Sequence, residues 1–405
     1  MLFRILPYHP MWAPMQGYCH EQQVPSDRFH TDLAMRIAQV LPAGAHPYSG
    51  VPVVVVQLAV HLAQRGHNLE VWLLQPWTAE AAALYRPALD EAGVTVVAAP
   101  ARGRGRLATL ADREIELAHL HSVFTPSNAL LARRLRAPYV LSPHGGYAPA
   151  SLRRSRGRKA LYKLLVERRL AHRAALRVAL TEVEAHDLAT FGAGRPTTVI
   201  PNGVMPPREE VDPAAFRKEL DLDPGQRLLL FVGRLDMVHK GLDLLVRGVA
   251  AAPGWHLALV GPDFRGGGDE LRRLGRLLGA EDRLFIAGPR HGPALDEAFA
   301  GADCFVLMSR WEGLPVSLLE ALSYGRPAIV SPAVDQLVGV NDAGAGWSVP
   351  PAELGALLRA LQGLDHAELA SRSSAARALA ARYDWAGVAL RYETAYAELL
   401  DRRQR

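Results

Sequence analysis

The chain has 405 residues, of which 49% are apolar and 21% charged; this suits a globular protein too long for one hydrophobic core, so two domains of ordinary size are expected. No window approaches the roughly 18 consecutive apolar residues of a membrane-spanning helix, since Val51–Val60 is soon interrupted by His61, Gln64 and Arg65. A net charge of +5 favours nucleotides, phosphorylated lipids or an anionic membrane surface without choosing among them, and the two cysteines, Cys19 and Cys304, point to free thiols in a reducing compartment rather than a disulfide framework.

Residues 1–34 carry prolines, aromatics and histidines without usable periodicity. Leu2–Leu6 is too short for the apolar core of a signal peptide and Pro7 cuts it, so a cytoplasmic location is expected. Met35 can itself serve as a start, so 1–34 is expected to be an appendage, unstructured or a mis-assigned extension, with an ordered functional arm as the alternative. Met35–Leu41 is the first strand-like run; the loop Pro42–Pro52, a helix to Arg65 closed by Gly66, and the strand Leu69–Leu74 follow. That order opens a doubly wound α/β domain. Further strands are expected at Val94–Ala98, Leu117–His121, Tyr139–Ser142, Arg177–Leu180 and Thr198–Ile200. Thr181 with Glu184 three residues on reads as a capping box, which keeps Glu182 and His186 out of any site. Pro201-Asn202-Gly203 makes a turn and the polar, proline-rich Pro206–Pro213 a linker. A second alternation has strands at Arg227–Val232, His256–Val260, Leu284–Ala287, Cys304–Met308 and Ala328–Ser331, and Trp385–Leu400 is one amphipathic helix. The expected organisation is therefore an extension (1–34), a first α/β domain (35–204), a linker (205–225), a second α/β domain (226–382) and a terminal helix (383–405).

The chemistry concentrates after two strands of the second domain. In Ser309-Arg310-Trp311-Glu312-Gly313-Leu314-Pro315-Val316-Ser317-Leu318-Leu319-Glu320, Pro315 suits a first helical position, which leaves Glu312 in the loop and Glu320 on the second turn. The helix start between them presents free N–H groups and a positive dipole end, a seat for a phosphate. Val232-Gly233-Arg234-Leu235-Asp236 with Lys240-Gly241 puts a guanidinium and an ammonium at a strand's carboxyl end, where open α/β sheets bind ligands and where the pair suits a pyrophosphate. Two cations and a helix terminus could balance a diphosphate without a metal ion.

These motifs resemble the retaining glycosyltransferases of family 4, which have the GT-B fold of two Rossmann-like domains facing across a cleft. The likeness runs from Met35 onward; its most specific part is the pair Glu312 and Glu320 in Glu-Gly-Leu-Pro-Val-Ser-Leu-Leu-Glu, with Ala321-Leu322 and Gly325-Arg326-Pro327 behind it. The resemblance implies that Glu312 meets the donor sugar's hydroxyls, Glu320 the nucleotide ribose, and Arg234 and Lys240 the donor diphosphate, with Gly313, Leu314 and Val316 in the donor site. It implies a nucleotide-sugar substrate, a saccharide or lipid-linked acceptor, no cofactor and no metal. Pro201-Asn202-Gly203-Val204 is similar to the family's domain junction, and the terminal helix is expected to return to the first domain. Ser49-Gly50-Val51 is similar to the family's glycine loop; where the family carries two adjacent glycines this chain keeps Gly50 alone. Ser142-Pro143-His144-Gly145-Gly146 puts His144 where the family has a histidine facing the reacting sugar, and His121, in His119-Leu120-His121-Ser122, is a candidate for the acceptor side.

Other readings stay in view. A nucleotide-sugar epimerase shares the two-domain shape, and a two-lobed sugar-binding protein shares the cleft. A dinucleotide oxidoreductase needs Gly-x-Gly-x-x-Gly joining the first strand to its helix, which neither Gly103-Arg104-Gly105 with Ala108 nor Gly266-Gly267-Gly268 provides. The basic run Arg153, Arg154, Arg156, Arg158, Lys159, Lys163, Arg168 and Arg169 either lies against an anionic membrane or forms a solvated face. Nothing reads as a nucleic-acid module.

Overall fold

The computed structural model describes residues 34–42, 50–100, 107–153, 162–190, 195–223, 225–363 and 366–404. Cys19 and the rest of 1–33, Ser49, Gly103-Arg104-Gly105 and, of the basic run, Arg154, Arg156, Arg158 and Lys159 lie outside the described residues. Residues 34–405 form a single compact unit built from two parallel sheets.

The first sheet contains β1 (Arg36–Leu41), β2 (Asn68–Leu73), β3 (Thr95–Ala98), β4 (Leu117–His121), β5 (Tyr139–Ser142), β6 (Leu176–Ala179) and β7 (Thr197–Val199), in the spatial order 3-2-1-4-5-6-7. The second contains β8 (Arg227–Val232), β9 (Trp255–Val260), β10 (Leu284–Gly288), β11 (Cys304–Leu307), β12 (Ala328–Val330) and β13 (Gly346–Ser348), in the order 10-9-8-11-12-13. Helices cover both faces, so the central strands are nearly continuous apolar runs: Leu228, Leu229, Leu230 and Phe231 are all fully buried. Strand order reverses between β1 and β4 and again between β8 and β11. At such a switch point neighbouring connections leave to opposite faces and open a crevice at the carboxyl ends of the strands.

β13 has no counterpart among the strands expected from sequence, because Gly-Trp-Ser carries no apolar run. Its strand character comes from close approach: a side chain on Gly346 would overlap the Ala328 carbonyl of β12. Cys304 opens β11 as a buried free thiol, and burial pushes its pKa up to about 12.

The lobes meet along Leu180, Val204, Leu314 and Leu319. The chain crosses between them twice at one place: Val204 N–H donates to the Tyr383 carbonyl at 2.7 Å, and Gly203 lies flat on the Trp385 ring, leaving no room for a Cβ. The closing helix, Trp385–Gln404, then packs into the first lobe's core through Trp385, Tyr392 and Tyr396. Each fully buried aromatic contributes roughly 1.5–3 kcal/mol by burial alone, which is enough to hold the helix on that lobe. Among the described residues no helix is long and apolar enough to cross a membrane.

Candidate active site

The loops after β8 and β11 form one block. Asp236 Oδ1 accepts the N–H groups of Val238 (3.2 Å) and His239 (3.0 Å), folding the first loop back on itself. Gly241, at φ 64°, lets that loop press against the Met308 carbonyl before the helix Leu242–Ala250 begins. From the other loop the Arg310 guanidinium forks onto Asp243 at 3.0 and 2.9 Å, and the Trp311 ring stacks on His239 at 4.5 Å.

On this block Lys240 Nζ donates to Glu312 Oε1 at 2.6 Å, and Ser309 Oγ donates to the same oxygen at 2.6 Å. Burial pushes the Glu312 pKa up, but Lys240, His239 and the hydrogen bonds from Lys240 and Ser309 outweigh it and hold the carboxyl below the usual carboxylate value. Burial in turn lowers the His239 pKa. The Arg234 guanidinium lies over the Phe264 ring at 4.9 Å, and Gly233 beside it borders the Lys240 side chain. Arg234, Lys240 and Glu312 thus gather in one place, with Lys240 and Glu312, expected at different parts of a donor, paired to each other. His239 and Trp311 complete the block and have no signal in the sequence, because a stacked pair from two distant loops leaves no local pattern.

Pro315, expected at the first helical position, is instead the N-cap of the helix Val316–Ser323: its ψ of 111° is extended, and its carbonyl accepts from Leu318 N–H at 3.1 Å. The Leu314 side chain turns into the interlobe seam while its carbonyl accepts from Asn202 Nδ2 at 3.1 Å. Val316 faces Gly50, the first residue of the helix Gly50–Gln64; a Cβ on Gly50 would lie 3.7 Å from Val316 Cγ2. The helix starts of the two lobes therefore oppose one another.

Glu320 stands apart. Among the described residues no ion pair holds it and no hydrogen bond joins its carboxyl to Lys240 or Glu312, and burial, assisted by Asp296, pushes its pKa up to about 7. A folded-state pKa above the unfolded value of 4.5 means the native protein holds a proton that the unfolded chain has released. The associated stability is present below the unfolded value and is lost as pH rises through about 7. Glu320→Gln should remove this dependence: urea unfolding at about pH 5 and pH 8 should show wild type losing up to about 3 kcal/mol that the variant retains. Parallel profiles would mean the carboxyl is solvated.

On the facing lobe, β5 runs into Pro143 and then His144 (φ 52°) and Gly145 (φ 74°), two successive left-handed residues that turn the chain toward Gly313. The contact is backbone to backbone: a Cβ on Gly145 would sit 2.8 Å from both Gly313 Cα and Gly313 N. Glu184 holds this turn. Thr181 Oγ1 accepts from Glu184 N–H as the capping box requires, but the Glu184 carboxylate accepts from Leu180 N–H (2.7 Å) and Gly145 N–H (2.5 Å) instead of returning to the cap. The capping motif gives no hint of that second role, because the Gly145 contact lies 39 residues away in sequence.

His121, the candidate for the acceptor side, is not exposed at the crevice. It is fully buried behind His144, with Nδ1 2.9 Å from His144 Nε2 and Nε2 2.8 Å from Gln39 Oε1. The reason is its place as the last residue of a central strand, which points its ring into the layer between the sheet and the closing helix. Burial lowers the His144 pKa to about 4, and it lowers those of His119 and His121 well below the usual value. Among the described residues no group of three or more His, Cys, Asp and Glu side chains is arranged to hold a metal ion.

Known proteins share this organisation. Residues 48–208 match the profile of Glycosyltransferase Family 4, and residues 226–365 match that of Glycosyl transferases group 1. The D-inositol 3-phosphate glycosyltransferase of Nocardia farcinica is 28% identical over 88% of this chain and 86% of its own. The GDP-mannose:cellobiosyl-diphosphopolyprenol alpha-mannosyltransferase of Xanthomonas campestris is 27% identical over 89% and 96%. Among solved structures, Anabaena HepE in complex with UDP and glucose superimposes with a TM-score of 0.74 at 19% identity, covering 90% of this chain and 99% of that one. WaaG, a glycosyltransferase involved in lipopolysaccharide biosynthesis, gives 0.66 at 18% identity over 90% and 99%. These structures share the GT-B fold, and the chain belongs to the family 4 and group 1 glycosyltransferases.

Proposed function

We propose that this glycosyltransferase is a retaining, metal-independent hexosyltransferase that moves a sugar from a nucleoside-diphosphate donor to a hydroxyl of a saccharide or lipid-linked acceptor, in polysaccharide, glycolipid or glycoconjugate biosynthesis. The observation that carries the reading is the buried Lys240–Glu312 pair at the second sheet's switch point, set opposite the His144–Gly145 turn of the first. Lys240 and Arg234 take the diphosphate, Glu312 the sugar's hydroxyls, Glu320 the ribose, and Gly50, Gly313, Leu314 and Val316 line the donor site with their backbones. His144 orients the reacting sugar.

The anomeric C–O bond to the diphosphate breaks through an oxocarbenium-like transition state, and its electron pair goes to the leaving phosphate. Arg234, Lys240 and the helix start at Val316 meet that growing charge more strongly than they meet the ground state, which is the condition for lowering the barrier. The acceptor hydroxyl approaches the face the phosphate leaves and gives its proton to the departing oxygen, so configuration is retained. The lobes approach one another closely at Gly145 and Gly313, and exclusion of water when the donor is bound suppresses its hydrolysis.

A thermal-shift screen of nucleotide-sugars followed by product analysis tests this. Stabilisation by one nucleotide-sugar class and release of its nucleoside diphosphate only with transfer is expected. A changed sugar with the nucleotide still attached would indicate an epimerase, and binding without turnover a sugar-binding protein. In this reading the enzyme works in the cytoplasm and touches the inner membrane face peripherally; what supports the contact is a groove of about 800 Å³ whose lining includes Arg133, Arg168, Arg169 and Arg173 beside Leu165 and Leu170. Co-sedimentation with anionic but not neutral vesicles tests that contact.

A further inference from the structure

His144 Nε2 is engaged by His121, so the tautomer of His144 decides what its other nitrogen offers a substrate. That tautomer can be read from the far end of a buried chain of hydrogen bonds beginning on the closing helix. Tyr396 Oη lies 2.6 Å from His119 Nδ1 and 3.4 Å from Gln39 Nε2. The Gln39 amide presents its NH₂ to the phenol, so Tyr396 Oη accepts from Gln39 and donates its own proton to His119 Nδ1. The same amide turns its carbonyl oxygen to His121 Nε2 at 2.8 Å.

A carbonyl accepts and cannot donate, so His121 carries its proton on Nε2. Burial keeps the ring neutral, and Nδ1 has only a lone pair. Across the 2.9 Å contact His144 must then donate from Nε2. By the same logic His119, accepting on Nδ1, donates from Nε2 to Ser142 Oγ at 2.8 Å. The opposite order would reverse every bond, with Tyr396 donating to Gln39 and all three imidazoles protonated on Nδ1; it would need the Gln39 amide turned end for end, with its carbonyl oxygen toward Tyr396, and the amide's orientation selects against it.

We infer that Tyr396 and Gln39 are positioning residues that fix His144 as its neutral Nε2–H tautomer through His121, so that His144 meets the substrate with Nδ1 as a hydrogen-bond acceptor. A helix that leaves the carboxyl-terminal lobe thereby sets the polarity of a group in the amino-terminal one. A sugar or acceptor hydroxyl is bound there by donating its proton, and an ether or carbonyl oxygen at that point is disfavoured. The role of His144 toward the sugar rests on the function proposed above; its tautomer does not.

The test is long-range proton–nitrogen NMR on protein labelled with ¹⁵N-histidine, with His144 assigned by the loss of its signals in His144→Ala. In wild type at neutral pH the His144 signals should be those of a ring protonated on Nε2 and bare on Nδ1. Tyr396→Phe keeps the ring packing but removes the proton that orders the chain; it should give His144 substantial Nδ1–H population and lower kcat several-fold with little change in donor KM. Gln39→Leu, removing the His121 acceptor, should do the same. An Nδ1–H ring in wild type, or a His144 tautomer unmoved in Tyr396→Phe, would overturn the inference. Because the signals are read without substrate, failure to find any accepted nucleotide-sugar would count against the proposed function alone.

Discussion

Gly145→Ala is expected to cut kcat/KM for transfer by about 10²-fold while leaving affinity for the nucleotide alone nearly unchanged, since a misplacement of about 1 Å in a positioned site costs about that much. Two penalties act at this residue. The first is local: φ is 74°, and an L-residue held in the left-handed region loses roughly 1–2 kcal/mol. The second lies between the lobes. The new methyl would sit 2.8 Å from Gly313 Cα and N, which are backbone atoms that cannot rotate aside, so either the turn withdraws or the lobes part. Both movements take His144 away from Glu312. Gly93 separates the two penalties, because it has φ 69° and an added methyl there would meet nothing within 4 Å. Gly93→Ala should lower the unfolding free energy by a similar local amount and leave transfer kinetics unchanged. Steady-state kinetics, calorimetric titration with nucleotide and urea unfolding on both variants decide the matter. Equal kinetic loss in the two would show that strain, rather than the contact across the crevice, governs turnover.

This contact is half visible in the sequence. Alternating apolar runs and turns mark two α/β halves, because parallel strands buried on both faces must be apolar along their length, and β4, β5 and β8 fall at the expected residues. The motif around Glu312 is equally legible, since Arg234, Lys240 and Glu312 all follow strands on either side of a switch point. What stays hidden depends on distance along the chain. Glu184 looks like an ordinary cap, and only the fold brings Gly145 to its carboxylate. Gln39 does leave a trace, a polar residue within the apolar run Ile37–Leu41, yet its partners on β4 and on the closing helix are 82 and 357 residues away. The burial of His121 is hidden for the same reason: a strand-end histidine reads as cleft-facing until Gln39 and His144, 82 and 23 residues away, close over it.

Lys240→Met should have the largest effect of any single change, on stability as well as on turnover. The side chains of Lys240 and Glu312 are 14% and 8% exposed, so the substitution leaves a carboxylate facing Ser309 and a neutral His239 without the ammonium that is hydrogen-bonded to it. Breaking a buried pair from one side costs about 3–5 kcal/mol. The cost should depend on pH with a definite sign. In wild type the Glu312 pKa is held below its unfolded value, so its stabilisation is present above the unfolded pKa and lost as pH falls through the folded one. Without Lys240, burial dominates and the folded pKa rises above the unfolded value; the variant should be closest to wild type in mild acid and fall behind as pH increases. Lys240→Met/Glu312→Leu removes both charges, and its stability should return to within about 1 kcal/mol of wild type, since a buried pair replaced by apolar groups is often neutral. Transfer should not return with it. Loss of the ammonium that meets the leaving diphosphate should keep kcat/KM down by at least about 10²–10³-fold in both variants, the scale of removing one preorganised electrostatic contact. A folded double variant that transfers sugar at the wild-type rate would reduce the pair to a structural ion pair and remove the central group of the proposed donor site.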